Sequence, residues 1–160
     1  MSKVYFSIGS NKGNRSGLIN EAINKIDIAI GNVELKSSVY ESKSWGFNSN
    51  NFYNICLLIH SNLSPELILN KILIIEKDMG RLKSVDQYSD RCIDIDILFI
   101  DDTIVNTKNL IIPHPRMQLR KFVLIPMIEL APNLVHPVLN KSIRQLELEC
   151  VGKDQPIKVS

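Results

Sequence analysis

The chain has 160 residues and a mass of 18.2 kDa, and its 19 Lys and Arg against 17 Asp and Glu give a formal net charge of +2. Hydrophobic residues make up 44% and charged residues 22%, which excludes disordered, collagen-like and disulfide-rich chains. A charge this close to zero also argues against a broadly basic, nucleic-acid-binding surface. The length predicts a single domain over residues 1–160.

Cysteine usage and hydropathy predict the cellular setting. The three cysteines, Cys56, Cys92 and Cys150, are far apart and form no zinc-binding pattern, and the first two lie in apolar runs typical of buried thiols. The N-terminus lacks the features of a signal peptide, and no apolar run is long enough to span a bilayer. We therefore expect a cytoplasmic protein that has no membrane partner. We also expect the protein to be a monomer.

Apolar periodicity predicts the elements of the first two thirds of the chain. Ser64 is a favourable helix N-cap, Pro65 suits the first helical position, and Gly80 ends that helix. In chain order we predict a strand (4–8), a helix (18–30), two strands (33–43 and 52–63), a helix (64–80) and a strand (92–100).

This β-α-β-β-α-β order predicts an α/β (α+β) fold, a ferredoxin-like, four-stranded antiparallel sheet with two helices packed on it. The last third is predicted to be a C-terminal α/β extension. It contains a hairpin-like piece (103–112), a Pro-rich turn and two helical stretches (119–130 and 142–149).

The strongest local signal for chemistry is the strand that contains Asp94 and Asp96. Side chains alternate along a strand, so both carboxylates lie on one face, with Cα atoms about 7 Å apart, while Ile93, Ile95 and Ile97 face a core. Two carboxylates so placed can hold a pair of Mg²⁺ ions. Taken alone, the pattern fits a half-exposed strand with an acidic outer face slightly better.

Basic residues on either side of this strand favour the metal interpretation. Residues 92–102 contain four acids and no base, whereas residues 103–125 contain four bases and no acid. Carboxylates ringed by Arg and Lys suit a polyphosphate that binds together with Mg²⁺, although individual residues could instead form salt bridges. His114, held between two prolines, is well placed to touch a phosphate. The bases concerned are Arg81, Lys83, Arg91, Arg116, Arg120 and Lys121.

A second cluster combines aromatic and amide side chains. Four of the ten aromatic residues, Trp45, Phe47, Phe52 and Tyr53, are interleaved with asparagines. Rings that stack and amides that read an edge suit a flat heterocycle, although burial in the core is the default for one or two of these rings.

Together these motifs resemble the 6-hydroxymethyl-7,8-dihydropterin pyrophosphokinase family over nearly the whole chain. Any one of them is weak, but the ordered set is highly specific. The motifs are Gly9-Ser10-Asn11, Phe52-Tyr53-Asn54, Glu76 with Gly80-Arg81, Arg91 with Asp94-Ile95-Asp96-Ile97-Leu98, Pro113-His114-Pro115-Arg116-Met117, Arg120 with Phe122-Val123-Leu124, and Pro126, Glu129, Ala131 and Pro132.

The resemblance implies a ferredoxin-like fold and transfer of the terminal diphosphate of ATP to the pterin hydroxymethyl group, releasing AMP, in folate biosynthesis. It implies that Asp94 and Asp96 hold two Mg²⁺ ions and act in catalysis with Arg81 and Arg91. It further implies ATP binding by Lys83, Tyr88, Arg91, Ile97, His114 and Arg120, and pterin binding by Gly9, Ser42, Lys43, Trp45, Phe52, Asn54 and Phe122.

Two other functional classes remain open at this point. A Mg²⁺-dependent nucleotidyltransferase also combines a Gly-Ser loop with a D-x-D strand, but there the two are close in sequence, whereas Gly9 and Asp94 are far apart here. A ferredoxin-like RNA- or ligand-binding module displays aromatic residues on central strands with broad basic flanks, whereas this strand is acidic.

Overall fold

The computed structural model describes residues 1–43, 51–80, 93–152 and 154–159. Within these ranges no helix is long and apolar enough to cross a bilayer. The strands that the structure describes are β1 (Ser2–Ser10), β2 (Asn32–Lys36), β3 (Val39–Ser42), β4 (Phe52–Ser61), β5 (Asp94–Ile100), β6 (Val105–Asn106), β7 (Ile111–Ile112) and β8 (Ile157–Val159). The α-helices described are α1 (Arg15–Ala29), α2 (Pro65–Asp78), α3 (Lys121–Leu130) and α4 (Ile143–Glu149).

An antiparallel sheet forms the centre of the fold. Its strand order is β5-β1-β4-β3-β8, with β2 also paired to β4, and each of these pairings is antiparallel. Strands β6 and β7 form a separate two-stranded ribbon, which confirms the predicted hairpin. The mixed α/β class with an antiparallel sheet is therefore confirmed. The predicted count of four strands is wrong, because six described strands share the sheet.

The hydrogen bonds of Ser37 explain one of the two additional strands. Its backbone N–H donates to the Cys56 carbonyl at 2.9 Å, and its hydroxyl accepts from the Cys56 N–H at 3.0 Å and donates to the Ser38 carbonyl at 2.8 Å. A serine that bonds to nearby backbone in this way interrupts the regular ladder. The single strand predicted over 33–43 is therefore two strands, β2 and β3. Strand β8, which pairs with β3, is short and was not predicted.

Hydrophobic clusters cover both faces of the sheet. On one face, Phe6, Ile8 and Leu57 pack with the buried side of α1 and α2. On the other face, Tyr5, Cys56 and Leu58 pack with residues of α3 and α4. Because β1 and β4 are buried on both faces, they appear in the sequence as continuous apolar runs.

Side-chain caps fix where the two long helices begin. The Asn14 side chain accepts from the Gly17 N–H at 3.1 Å, and Ser64 Oγ accepts from the Leu67 N–H at 3.3 Å. Gly80 has φ +87°, the left-handed conformation that ends α2. The predicted start and end of this helix are confirmed.

Gly31, between α1 and β2, allows a close approach of two backbones. A β-carbon there would lie 2.0 Å from the His60 carbonyl oxygen. We expect Gly31→Ala to lower the free energy of unfolding by about 3 kcal/mol, because the backbone of β2 or β4 must shift. Urea denaturation measures this, with Gly152→Ala as the matched control, since its nearest contact would be an ordinary 3.6 Å. Equal stability of the two variants would contradict the argument.

Candidate active site

Strand register brings the predicted site residues onto one face of the sheet. Gly9 on β1 pairs with Asp94 of β5 on one side and with Asn54 of β4 on the other. In the next row of the same face, Ser7 pairs with Asp96 and Cys56. Two strand spacings separate Asp94 from Asn54, so their Cα atoms lie about 10 Å apart. We call the row of Asp94, Gly9 and Asn54 the site row.

Gly9 leaves the centre of the site row without a side chain. A β-carbon at Gly9 would lie 3.1 Å from Asn54 Oδ1 and 3.5 Å from Phe52 Cδ1. Asn54 is 3% exposed, and its Nδ2 donates to Ser42 Oγ at 2.7 Å. The structure thus brings together Gly9, Ser42, Phe52 and Asn54, four of the residues for which we predict pterin contacts. Their binding of a pterin stays a prediction.

The beginning of α3 is fixed against this face. Cys56 Sγ lies 3.6 Å from the Val123 carbonyl oxygen and donates to it, and burial raises the pKa of this thiol. The preceding residue, Phe122, is partly buried against the same cluster, and the Arg120 guanidinium lies 5.6 Å from the centre of its ring. Lys43, just beyond the end of β3, is exposed.

Asp96 faces two nitrogen-bearing side chains from the segment before α3. His114 Nε2 lies 3.9 Å and Arg120 Nη1 lies 3.8 Å from Asp96 Oδ2. These separations are within ion-pair range but longer than hydrogen bonds. The acidic strand and the basic segment predicted to lie near each other are therefore neighbours in the fold.

The protonation state of His114 follows from its hydrogen bond and its burial. Its Nδ1 accepts from the Arg116 N–H at 3.1 Å, which places the ring proton on Nε2, the nitrogen that faces Asp96. Burial, together with the positive charges of Arg120 and Arg116, lowers the pKa of His114 to about 4, although Asp94 opposes the shift. At neutral pH the ring is thus an uncharged Nε2–H donor.

A cavity of about 300 Å³ lies at the outer edge of β5. Its polar side is made by carboxylates and by His114 and Arg120, and its apolar side comes from α2. The lining residues are Leu69, Ile72, Leu73, Glu76, Asp94, Ile95, Asp96, His114 and Arg120.

Glu76 is a residue to which the sequence assigned no role. It is 6% exposed on α2, and its Oε2 accepts from the backbone N–H of Ile95 at 2.9 Å, between the two aspartates. It therefore fixes the edge strand that carries Asp94 and Asp96. A signal was available, because Glu76 continues the buried periodicity of Ile68, Ile72 and Ile75.

The remaining predicted residues divide into two groups. Ile97 is 7% exposed in the core on the opposite face of β5, and its side chain does not line the cavity. Its role in ATP binding stays a prediction, one that its backbone would have to fulfil. The others lie outside the described residues, and they are Trp45, Arg81, Lys83, Tyr88 and Arg91.

Paired carboxylates on β5 lie opposite a guanidinium and an imidazole, on the same face as Gly9 of β1 and the Asn54 amide of β4. This combination of groups is typical of enzymes that bind an anionic ligand next to a polar molecule. A family model for 7,8-dihydro-6-hydroxymethylpterin-pyrophosphokinase (HPPK) matches residues 5–132. The chain belongs to this family, as its motifs predicted.

Curated relatives agree with this assignment. The chain is 41% identical over 150 residues to the 2-amino-4-hydroxy-6-hydroxymethyldihydropteridine pyrophosphokinase of Aquifex aeolicus, covering 93% of this chain and 92% of that protein. It is 45% identical over 152 residues to the folic acid synthesis protein fol1 of Pneumocystis carinii, covering 94% of this chain but only 20% of that longer protein.

Solved structures share the fold. Wild-type HPPK-DHPS of Plasmodium falciparum with pteroate superposes with a TM-score of 0.75 at 18% identity, covering 92% of this chain. This chain spans 42% of that one. At this level of identity the likeness concerns the fold alone.

The state of His114 can be tested by ¹⁵N NMR of the ligand-free protein. We expect the neutral Nε2–H form from pH 8 down to pH 5, because the pKa is lowered to about 4. The unfolded ring takes up a proton near pH 6.5, so this group's contribution to stability is complete above pH 6.5 and is lost as the pH falls towards 4. The urea-unfolded protein is the control. An imidazolium signal from folded protein at pH 6, or a proton on Nδ1, would contradict the assignment.

Proposed function

We propose that the chain transfers the diphosphate of ATP to the hydroxymethyl group of 6-hydroxymethyl-7,8-dihydropterin, a step of folate biosynthesis. The pterin hydroxyl oxygen forms a bond to the β-phosphorus and loses its proton to solvent, and the bond from that phosphorus to the oxygen shared with the α-phosphate breaks, releasing AMP. One observation carries the proposal: the site row sets Asp94, with Asp96 in the next row, across Gly9 from Asn54 on one face of the sheet. Family membership supports it.

Asp94 and Asp96 are proposed to hold two Mg²⁺ ions. In the parts of the chain that the structure describes, no group of three His, Cys, Asp or Glu side chains is placed to hold a metal. A pair of carboxylates nevertheless fits Mg²⁺, which usually binds one or two carboxylates and completes its shell with water and substrate phosphates. When bound, Mg²⁺ supplies neutralisation of phosphate charge.

The triphosphate is proposed to lie between the aspartates and the segment before α3. Arg120 offers a planar, permanently charged donor group, and His114 offers a neutral Nε2–H. Their separations of 3.8 and 3.9 Å from Asp96 are too long for hydrogen bonds, so phosphate oxygens can accept from both. Outside the described residues, Arg81 and Arg91 are assigned to catalysis, and Lys83, Tyr88 and Arg91 to ATP binding.

The apolar side of the cavity is proposed to receive the adenine base. Leu69, Ile72 and Leu73 project from α2 into the same cavity as Asp94 and His114. Leu73 is 53% exposed, so its side chain is accessible to a ligand in the cavity. An adenine base bound against these side chains would leave the phosphates of ATP within reach of His114 and Arg120, which line the same cavity.

The pterin is proposed to lie over Gly9, with its polar edge at Asn54 and Ser42. The absence of a side chain at Gly9 lets a flat ring approach the strand, and the Asn54 amide is oriented by its bond to Ser42. Phe52, beside Gly9, and Phe122, at the beginning of α3, supply stacking faces. Lys43 and Trp45 complete the proposed pocket.

Several broader features belong to the same proposal. The order β5-β1-β4-β3 and the two helices on one face support a ferredoxin-like arrangement. Both hydrophobic clusters are built on one sheet, which supports residues 1–160 acting as one domain. A monomer in the cytoplasm, where ATP is abundant, is the setting in which we place this activity.

The metal assignment is tested by replacing each aspartate with its uncharged isostere. We expect Asp94→Asn and Asp96→Asn to lower kcat/KM by about 10²- to 10³-fold. Each change removes a carboxylate ligand of the metal ions, and the phosphate charge is then neutralised less well. The assay follows AMP formed from ATP, Mg²⁺ and the pterin. Asp102→Asn, at an exposed position after β5, is the matched control. Near-wild-type rates in both site variants, or release of inorganic diphosphate in place of AMP, would refute the proposal.

The pterin site is tested by Phe122→Ala. Loss of a stacking ring worth about 1–3 kcal/mol should weaken pterin binding about tenfold or more and leave ATP binding nearly unchanged. Calorimetric titration with each substrate measures both affinities. Leu119→Ala, which removes a side chain that is 62% exposed, serves as the control. A larger loss for ATP than for the pterin would place the stacking ring in the nucleotide site.

A further inference from the structure

Arg15, the first residue of α1, contacts the ends of two strands. Its Nη1 donates to Glu41 Oε2 at 3.2 Å and to the Asn51 carbonyl oxygen at 2.8 Å. Its guanidinium carbon lies 3.9 Å from the centre of the Tyr53 ring. One side chain therefore holds β3, through Glu41, together with the residues at the beginning of β4.

Each of these contacts adjoins a residue of the proposed pterin site. Glu41 precedes Ser42, and Asn51 and Tyr53 flank Phe52. Glu41 pairs with Tyr53 and Ser42 pairs with Phe52 in the same ladder. The contacts of Arg15 are therefore one residue away from the pterin-facing side chains.

The alternation of side chains keeps Arg15 away from the pterin itself. Tyr53 packs with the cluster under α1 and α2, whereas Cys56, on the other face, packs with α3. Asn54 shares the face of Cys56, and so do Ser42 and Phe52 by register. Arg15 thus lies on the opposite face of the sheet from the ligand.

We propose that Arg15 is a positioning residue for the pterin: it fixes the backbones of β3 and β4 so that Ser42, Phe52 and Asn54 keep their mutual geometry. This inference rests on the proposed function. Strand β3 has only four residues, so few backbone hydrogen bonds hold its end in the sheet. The contacts of Arg15, which we call the clamp, therefore have their greatest effect there. The described side-chain contacts of Arg15 are with Glu41, Asn51 and Tyr53, none of which belongs to the proposed triphosphate site.

The chemistry of the clamp requires arginine. The guanidinium is planar and donates in its own plane while its face stacks on an aromatic ring. At Arg15 the in-plane donors serve Glu41 and Asn51, and the face covers Tyr53. A lysine keeps the charge and can donate to one of the two oxygens, but it cannot stack in the same way.

Steady-state kinetics of the full chain with ATP, Mg²⁺ and the pterin test the proposal. We expect Arg15→Ala to raise the KM for the pterin about tenfold, because displacement of Ser42, Phe52 or Asn54 weakens their contacts with the pterin. The KM for ATP should stay within about twofold of wild type. Arg15→Lys should restore part of the pterin affinity. Glu41→Gln, which leaves Arg15 in place but removes the charged acceptor, should raise the pterin KM by less than Arg15→Ala.

Arg144→Ala is the matched control, since it removes an exposed arginine from another helix. Thermal unfolding of each variant is recorded alongside, and if Arg15→Ala does not fold, Arg15→Lys and Glu41→Gln decide the question. Equal increases in both KM values, a change in kcat alone, or no change would overturn the inference. If the wild type itself formed no AMP, the proposed function would fail instead, so the two failures are distinguishable.

Discussion

The register between β1 and its two neighbours is the constraint on which the site depends. Gly9 pairs with Asp94 and with Asn54, so an acidic strand and an amide-bearing strand are held on either side of a position without a side chain. A slip of one residue in either pairing would turn a whole set of side chains to the opposite face. In β5 such a slip is costly, because Asp94 and Asp96 would then face the core that Ile95 and Ile97 now occupy.

Acidic and basic side chains lie close together around this register, so their charges largely cancel. The chain as a whole carries a formal net charge of only +2, yet Asp96 lies within 4 Å of both His114 and Arg120. Glu76 adds a buried carboxylate that binds the backbone between the two aspartates. A site with acidic and basic walls close together suits a ligand that brings both phosphates and metal ions, and a neutral average conceals such a site.

The sequence predicted those features that depend on local chemistry. Ser64 and Gly80 bound α2 as expected, and alternation placed Asp94 and Asp96 on one face. Features that depend on contacts between residues far apart in the chain could not be predicted from local sequence patterns. The break at Ser37 depends on Cys56, the clamp at Arg15 depends on Glu41 and Asn51, and the pairing of Asp94 with Gly9 depends on three-dimensional register. The motifs of the family predicted roles for Gly9 and Asp94, and the structure supplied the positions of these two residues.

A crystal structure of the ternary complex with Mg²⁺, a non-hydrolysable ATP analogue and the pterin would show where both substrates bind. We expect the pterin ring over Gly9 with its polar edge at Asn54, metal ions on Asp94 and Asp96, and phosphates contacting Arg120 and His114. A pterin bound away from the site row, or metal ions that do not contact either aspartate, would contradict it.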